Sequence, residues 1–405
     1  MYFRLVSRKL DRRQLPYIGQ DLEKKMVLVA GPRQCGKTTL AKKLLATMRG
    51  AHYSWDVARD RMKLRRQELD EDARLWIFDE LHKGRAWRNW LKGVFDEHHD
   101  QHPILVTGSA RLDIYSRGGD SLQGRYYKHR MHPVTLSEFL GLAAPSTLDN
   151  IISAIVSSRQ ITGRASTLAD LANLGGFPEP LLSGSDLEAR RWRLAYGELL
   201  IREDIRTLES IRDLDRMELL FERLPTCVGS VLSINSLRED LEVAFETVRH
   251  WLSVLEHTYA VFRLPPFGAP RIKAVKKEQK LYCWDWSRVE VPGPRFENLV
   301  AVHLLRLIHF AEDVYGEKLE LRYFRDTVGH EVDFVVIRKH SPWFVVECKV
   351  QSRGLDPNLK YLLERVSVPY AFQVSAENGP HFRLPAVNGC EVHILPAATL
   401  LAALP

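Results

Sequence analysis

The run Gly31-Pro32-Arg33-Gln34-Cys35-Gly36-Lys37-Thr38-Thr39 has the spacing G-x-x-x-x-G-K-T, which suits phosphate chemistry. Its glycines let the backbone curl so that successive N–H groups converge on an anion. Lys37 is placed to reach β- and γ-phosphates, and the Thr38 hydroxyl to complete a Mg²⁺ shell. A second acidic pair, Asp79-Glu80, follows the apolar run Leu75-Trp76-Ile77-Phe78. Asp79 suits the metal side, and Glu80 suits the base that polarises an attacking water. An acidic helix start is the competing reading, because carboxylates favour that position too.

Further along, Glu331-Val332-Asp333-Phe334-Val335-Val336 and Trp343-Phe344-Val345-Val346-Glu347-Cys348-Lys349-Val350 read as adjacent strands. Alternation puts Glu347 and Lys349 on one face and Val346, Cys348 and Val350 on the other. Asp333 and Glu347 are hard oxygen donors suited to Mg²⁺, with Glu297, on a helix from Phe296 to His309, as a further member. Lys349 beside them can offset charge developing on a phosphate. The competing reading is a pair of edge strands carrying a surface salt bridge.

These residues need elements to hold them. Met26-Val27-Leu28-Val29-Ala30 reads as a strand entering the phosphate loop, and a helical pattern from Leu40 to Leu45 leaves it, the context such a loop requires. Ala51 to Trp55 reads as a strand with Asp56 at its end. Trp87 to His98 reads as an amphipathic helix burying Trp90, Leu91, Val94 and Phe95. Ile104-Leu105-Val106-Thr107 forms a further strand and runs into Gly108-Ser109, where Ser109 or Thr107 can orient the lytic water. Strands and helices therefore alternate from about 21 to 140, as in a parallel α/β sheet. Residues up to about 20, ending at Pro16, read as a lead-in helix.

From 141 to 225 the pattern is helical, with a sharp turn at Gly175-Gly176-Phe177-Pro178-Glu179-Pro180. Residues 226–290 read as a short helix from Ser236, a longer one from Phe245 to His257, and two strands, Tyr259 to Leu264 and Lys280 to Trp284. That is a winged-helix pattern, with Arg249 and His250 on the recognition helix and Lys273, Lys276 and Lys277 in the wing, a DNA-binding arrangement. Use of the same unit for protein packing is the alternative. The domain expectation is 1–140, 141–225, 226–290 and 291–405.

The chain has 405 residues, 45% hydrophobic and 27% charged, and 58 Lys and Arg against 51 Asp and Glu give +7. That is the composition of a globular protein of several domains, with a modest excess of positive charge compatible with nucleic acid. No apolar run approaches the ~20 residues needed to span a bilayer. Cys35, Cys227, Cys283, Cys348 and Cys390 have neither zinc-ligand nor disulfide spacing, which points to a reducing, cytoplasmic setting without a membrane partner. Cys35 lies in the phosphate loop, so its alkylation is expected to report nucleotide occupancy.

Gly31 to Thr39, Phe78-Asp79-Glu80, Thr107-Gly108-Ser109, Leu122-Gln123-Gly124-Arg125, Gly175 to Glu179, Phe296-Glu297-Asn298 and Glu331 to Phe334 together resemble a widespread prokaryotic family. Its members are AAA-type ATP-binding proteins with a C-terminal domain of unknown function. The resemblance spans nearly the whole chain, with mild departures at Cys35 (often Val) and His82 (often Gln). It implies ATP binding by Gly31, Gly36, Lys37 and Thr38, and Mg²⁺ and hydrolysis roles for Asp79 and Glu80. It also implies a helical lid over 141–225. Arg125 matches the family's Gly-Arg element. We expect Arg125, with Arg117 second, to be a finger toward a neighbouring subunit's phosphates in a homo-oligomer; a solvated surface arginine is the alternative. The Asp333-x13-Glu347-x-Lys349 arrangement resembles the restriction-endonuclease-like nuclease fold, a second α/β domain. Three functions are carried forward. One is an ATPase coupled to a DNA-acting C-terminal half, another an ATP-gated DNA nuclease, and the last a signalling or scaffold ATPase that binds protein.

Overall fold

The computed structural model describes residues 10–84, 86–109, 122–157, 164–206, 211, 213–268, 278–351 and 354–405. Arg117, Lys273, Lys276 and Lys277 lie outside the described residues. The chain divides into two compact units, one of Asp11–Pro133 with His257–Tyr259, the other of Val134–Glu256 and Ala260–Pro405. Among the described residues no helix is long and apolar enough to cross a membrane.

The first unit is built on five parallel strands: β1 (Met26–Ala30), β2 (Gly50–Ser54), β3 (Leu75–Asp79), β4 (Ile104–Gly108) and β5 (Tyr126–Arg130). Their order is β2-β3-β4-β1-β5. Every residue of β1, β3 and β4 is buried, which is why these segments read as unbroken apolar runs rather than alternating ones. Helix α1 spans Leu15–Leu22, α2 Lys37–Thr47, α3 Ala58–Arg66 and α4 Trp87–His98. The expectation for the first residues needs correcting, since Pro16 stands in the first turn of α1 instead of closing a helix. A proline suits that position because its missing N–H has no intrahelical partner there. Helix α4 buries Leu91, Val94 and Phe95 in a core with Trp76, Phe78 and Val106, and Trp90 packs against the same core half-buried.

The second unit begins with helices between Leu136 and Arg223. At the glycine–proline turn, Gly175 has φ +85°, and a Cβ there would fall 2.8 Å from Asp285 Oδ1. The turn is therefore a packing requirement of this unit. Helices Ile234–Leu241 and Phe245–His257 precede an antiparallel pair, β6 (Val261–Leu264) and β7 (Lys280–Cys283). A six-stranded mixed sheet follows, made of β8 (Leu319–Arg325), β9 (Glu331–Arg338), β10 (Ser341–Lys349), β11 (Tyr370–Ser375), β12 (Phe382–Val387) and β13 (Cys390–Pro396). Its order is β12-β13-β11-β10-β9-β8. Glu297 lies on the long helix Pro292–Tyr315, which extends beyond the expected Phe296-to-His309 segment at both ends. That helix is buried over most of its length, because apolar residues recur on more than one face.

Candidate functional site

The carboxyl ends of β1, β3 and β4 lie side by side, and each carries chemistry. Beyond β1, Gly36 adopts φ +99° at the start of α2, a conformation that a Cβ would strain. A Cβ on Gly31 would collide with the Met131 carbonyl. Both glycines are thus required by the shape of the loop. Lys37, nearly buried, donates through Nζ to the carbonyls of Gly31 (3.0 Å) and Pro32 (2.6 Å). It closes the loop on itself with the group that would engage a phosphate.

Thr38 Oγ1 donates to Asp79 Oδ2 at 2.9 Å, and Thr107 Oγ1 donates to Asp79 Oδ1 at 2.5 Å. The pairing of Asp79 with Thr107 across β3 and β4 produces the second bond directly. Thr107 therefore braces Asp79 rather than facing open space for a water. Burial pushes the Asp79 carboxyl up, but the His52 ring 3.7 Å away and the hydrogen bonds from Thr107 and Thr38 outweigh it and hold the group below its ordinary range. Glu80 moves the other way. Burial raises it, and the charges of Lys37 and Lys83 only partly oppose the rise. Adjacent carboxyls are thus split into one held ionised and one more basic, a division suited to a metal ligand and a proton acceptor.

Ser109, just beyond β4, has Oγ 3.5 Å from His82 Nε2, which is also 3.5 Å from Glu80 Oε2. Lys83 Nζ reaches Glu80 Oε2 at 3.3 Å and Asp56 Oδ2 at 2.7 Å. Arg125 pairs with Asp96 through Nε (2.6 Å) and Nη2 (3.1 Å) on the surface of this unit. Arg33, Gln34 and Thr39 complete the loop, Gln34 with φ +58°. Cys35 is wholly buried, so its alkylation is not the direct occupancy probe expected from its position. Its carbonyl accepts from Arg12 Nη2 at 2.6 Å, and the same nitrogen donates to the His132 carbonyl at 2.7 Å. Sequence reasoning missed Arg12, His52 and Lys83. Lys83 had a local cue in its spacing from Glu80, whereas nothing near Arg12 or His52 marked them.

Oxygen donors of the kind Mg²⁺ prefers are present at Thr38 and Asp79. The ionised state of Asp79 and the loop's fit to a backbone-bound anion make this a suitable place for the metal–triphosphate pair.

The distal residues come together within the second unit. Glu297, Asp333, Glu347 and Lys349 line one cleft of about 390 Å³. Asp333 N donates to Glu347 Oε2 at 3.3 Å, and Cys348 N donates to Asp333 Oδ2 at 2.9 Å. Lys349 Nζ lies 2.8 Å from Glu347 and 2.7 Å from Asp356. Lys280, a residue the sequence marked only as the start of a strand, is fully buried among the acids. Its Nζ is 2.6 Å from Glu331, 3.0 Å from Glu297 and 3.5 Å from Asp333.

Burial raises Asp333 far above the usual carboxyl range, helped by the charges of Glu297 and Glu347. Burial likewise raises Glu347, to about 7, against the pull of Lys349. Among the described residues no group of three His, Cys, Asp or Glu side chains is set to hold a metal ion. Lys280 pairs with Glu297 and Asp333, two of the three expected ligands.

Three stretches of the chain match known family models. Residues 23–140 match the family model described as an AAA domain. Residues 165–289 match a domain of unknown function (DUF8612), and residues 292–378 another (DUF4143). An uncharacterized protein of Methanocaldococcus jannaschii is 24% identical over 89% of this chain and 82% of its own. An uncharacterized protein of Mycobacterium tuberculosis is 25% identical over 64% of this chain, which spans 54% of that relative's length. Among solved structures, the RuvB Holliday junction branch migration motor of Thermotoga maritima aligns at 18% identity. It covers 65% of this chain and 94% of its own, with a TM-score of 0.32. A signal transduction ATPase with numerous domains from Pyrococcus horikoshii aligns at 14% identity over 74% of this chain and 45% of its own, with a TM-score of 0.28. The matched AAA model over residues 23–140 supports an AAA-type ATPase domain in the first unit, with nucleotide binding as its general activity.

Proposed function

We propose that the chain is an ATPase that binds ATP with Mg²⁺ at Gly31–Thr39 and couples nucleotide state to its C-terminal half, with DNA as the partner. The observation that carries this reading is the Thr38–Asp79–Thr107 chain of hydrogen bonds beside Glu80. It holds a hydroxyl and an ionised carboxylate where the metal side of a triphosphate belongs. Thr38 and Asp79 would hold Mg²⁺, which when bound spreads the phosphate charge. Lys37 exchanges its loop carbonyls for phosphate oxygens. Glu80 takes the proton of the attacking water, a role that its raised basicity suits. Ser109, beside His82, orients that water. Arg125 would have to leave Asp96 to serve as a finger. Released phosphate from purified protein tests the proposal, and Lys37→Ala turning over ATP at the wild-type rate would refute it. DNA as partner is tested by salt-dependent binding that charge reversal at Lys276 and Lys277 abolishes. Binding indifferent to salt and to those changes would favour the protein-scaffold function.

A second reading, an ATP-gated DNA nuclease, is favoured by the single cleft that gathers Glu297, Asp333, Glu347 and Lys349. In it, Asp333 and Glu347 serve the metal and Lys349 the phosphate, once Lys280 yields its place among the acids. Plasmid incubated with Mn²⁺ or Mg²⁺ beside the Asp333→Ala variant decides it. Equal inertness of the two proteins ends this reading and leaves the ATPase untouched.

A further inference from the structure

A second, larger pocket of about 800 Å³ opens in the first unit, and none of its lining residues belongs to the phosphate loop. Three tryptophans contribute to it, Trp55 after β2 and Trp87 and Trp90 on α4, together with Arg61 and Arg65 of α3 and Lys83. A Cβ on Gly84 would come within 2.7 Å of the Trp55 ring, so the absence of a side chain there lets the indole settle against the backbone. Arg65 stands with its guanidinium 5.7 Å from the Trp55 ring centroid. Arg61 donates to the Trp55 carbonyl at 3.1 Å.

The charges in this pocket are unequal in kind. Lys83 is neutralised by Asp56 and Glu80. Arg61 and Arg65 have no carboxylate partner among the described residues, and the Trp90 Nε1–H, buried, has no acceptor among them either. A pocket with three indoles and two uncompensated guanidiniums asks for a ligand that is flat and aromatic at one end and anionic at the other. An acidic peptide supplies the charge without the flat face. A nucleoside phosphate supplies both, since any base stacks on an aromatic ring and a phosphate accepts paired N–H bonds from arginine. The volume lies in the range of pockets that enclose a single small ligand.

We propose that this pocket binds a nucleoside phosphate, with the base against the indoles and the phosphate on Arg61 and Arg65, as a site separate from the phosphate loop. The ligand is either a free mononucleotide or one unit of a single strand. It does not require that the phosphate loop hydrolyse anything, so the two claims fail separately.

The test uses the full chain carrying Lys37→Ala, and probes without a triphosphate: AMP by calorimetry and fluorescein-labelled (dT)12 by anisotropy. At least one probe should bind, and Arg61→Glu with Arg65→Glu should weaken it by about tenfold or more, as loss of charge-assisted hydrogen bonds implies. Trp55→Ala should weaken it as well. The same charge change at exposed Arg190 and Arg191 should leave binding within about twofold, because general attraction of a basic protein for an anion is not the mechanism. AMP binding identifies a free nucleotide as the ligand, and (dT)12 binding alone identifies a strand. Should the double substitution unfold the chain, Arg65→Glu, at an exposed position, carries the same test. No binding of either probe, or binding that survives the Arg65→Glu change, overturns the proposal.

Discussion

The two charged sites of this chain solve the same physical problem in opposite ways. At the phosphate loop the one lysine, Lys37, rests on carbonyls of its own loop. Its two carboxyls are separated in character, Asp79 held ionised and Glu80 made more basic. In the distal cleft, by contrast, Glu297, Glu331, Asp333 and Glu347 are ion-paired with the side chains of Lys280 and Lys349, and burial still raises Asp333 and Glu347. In the first arrangement the ammonium of Lys37 rests on neutral carbonyls, which a phosphate can replace without separating an ion pair. In the second the ammonium of Lys280 is ion-paired with carboxylates, and a cation entering there competes with it. The difference teaches that a lysine among acids is already engaged by opposite charge, whereas a lysine on loop carbonyls keeps its charge for a ligand.

The largest expected effect falls on the first site alone. Lys37→Ala and Glu80→Gln should each lower ATP turnover by about a hundredfold or more, the scale of losing a general base or a preorganised charge. Asp333→Ala should leave turnover within about twofold, as steady-state phosphate release will show. A comparable loss in Asp333→Ala would erase the distinction between the sites.

Next in size is the distal cluster's dependence on its buried cation. Lys280→Met removes the ammonium and leaves several buried carboxylates uncompensated, a change of about 3–5 kcal/mol. The melting temperature should fall markedly, and adding Glu297→Gln should recover part of it. An unchanged melting point would mean that Lys280 is not what balances the acids.

A smaller effect concerns pH. His303 is buried, accepts from the Leu136 N–H at 2.9 Å, and has its Nδ1 2.8 Å from the Leu299 carbonyl. Burial lowers its pKa to about 4, so the folded protein holds the neutral ring more strongly than the unfolded chain does. The stability this provides is complete above the unfolded value of about 6.5 and is lost progressively as pH falls toward 4. Denaturation curves of wild type and His303→Gln should therefore converge as the solution is acidified over that window. Parallel curves would contradict the assignment.

The smallest effect tests the surface ion pair at the first site. Asp96→Asn should leave melting unchanged, since the pair is solvent-exposed. A loss of turnover in Arg125→Ala that Asp96→Asn does not share would mark the guanidinium as acting on phosphate.

Much of the first unit was legible because its signals are local. The apolar runs of β1, β3 and β4 announce strands covered on both faces, and the stripe Leu91, Val94, Phe95 announces α4. Pro16 misled because proline both ends helices and begins them, and only the following turn distinguishes the cases. In the distal cleft Asp333, Glu347 and Lys349 were visible as charges breaking apolar strands. Lys280 was not, because a lysine at the edge of a short strand is ordinarily solvated. Its burial depends on Glu297, Glu331 and Asp333, which lie 17 to 53 residues away.

By itself the sequence determined the phosphate loop, the acidic pair after β3 and the alternation that makes a parallel sheet. Each of these depends on neighbours within a few residues, through backbone conformation and burial period. Only the tertiary structure decided which charges are compensated: that Thr107 serves Asp79, that Arg12 braces the loop from below, and that Lys280 stands among the distal acids. Electrostatic balance is a property of distances between groups far apart in the chain, and those distances exist only once the chain has folded.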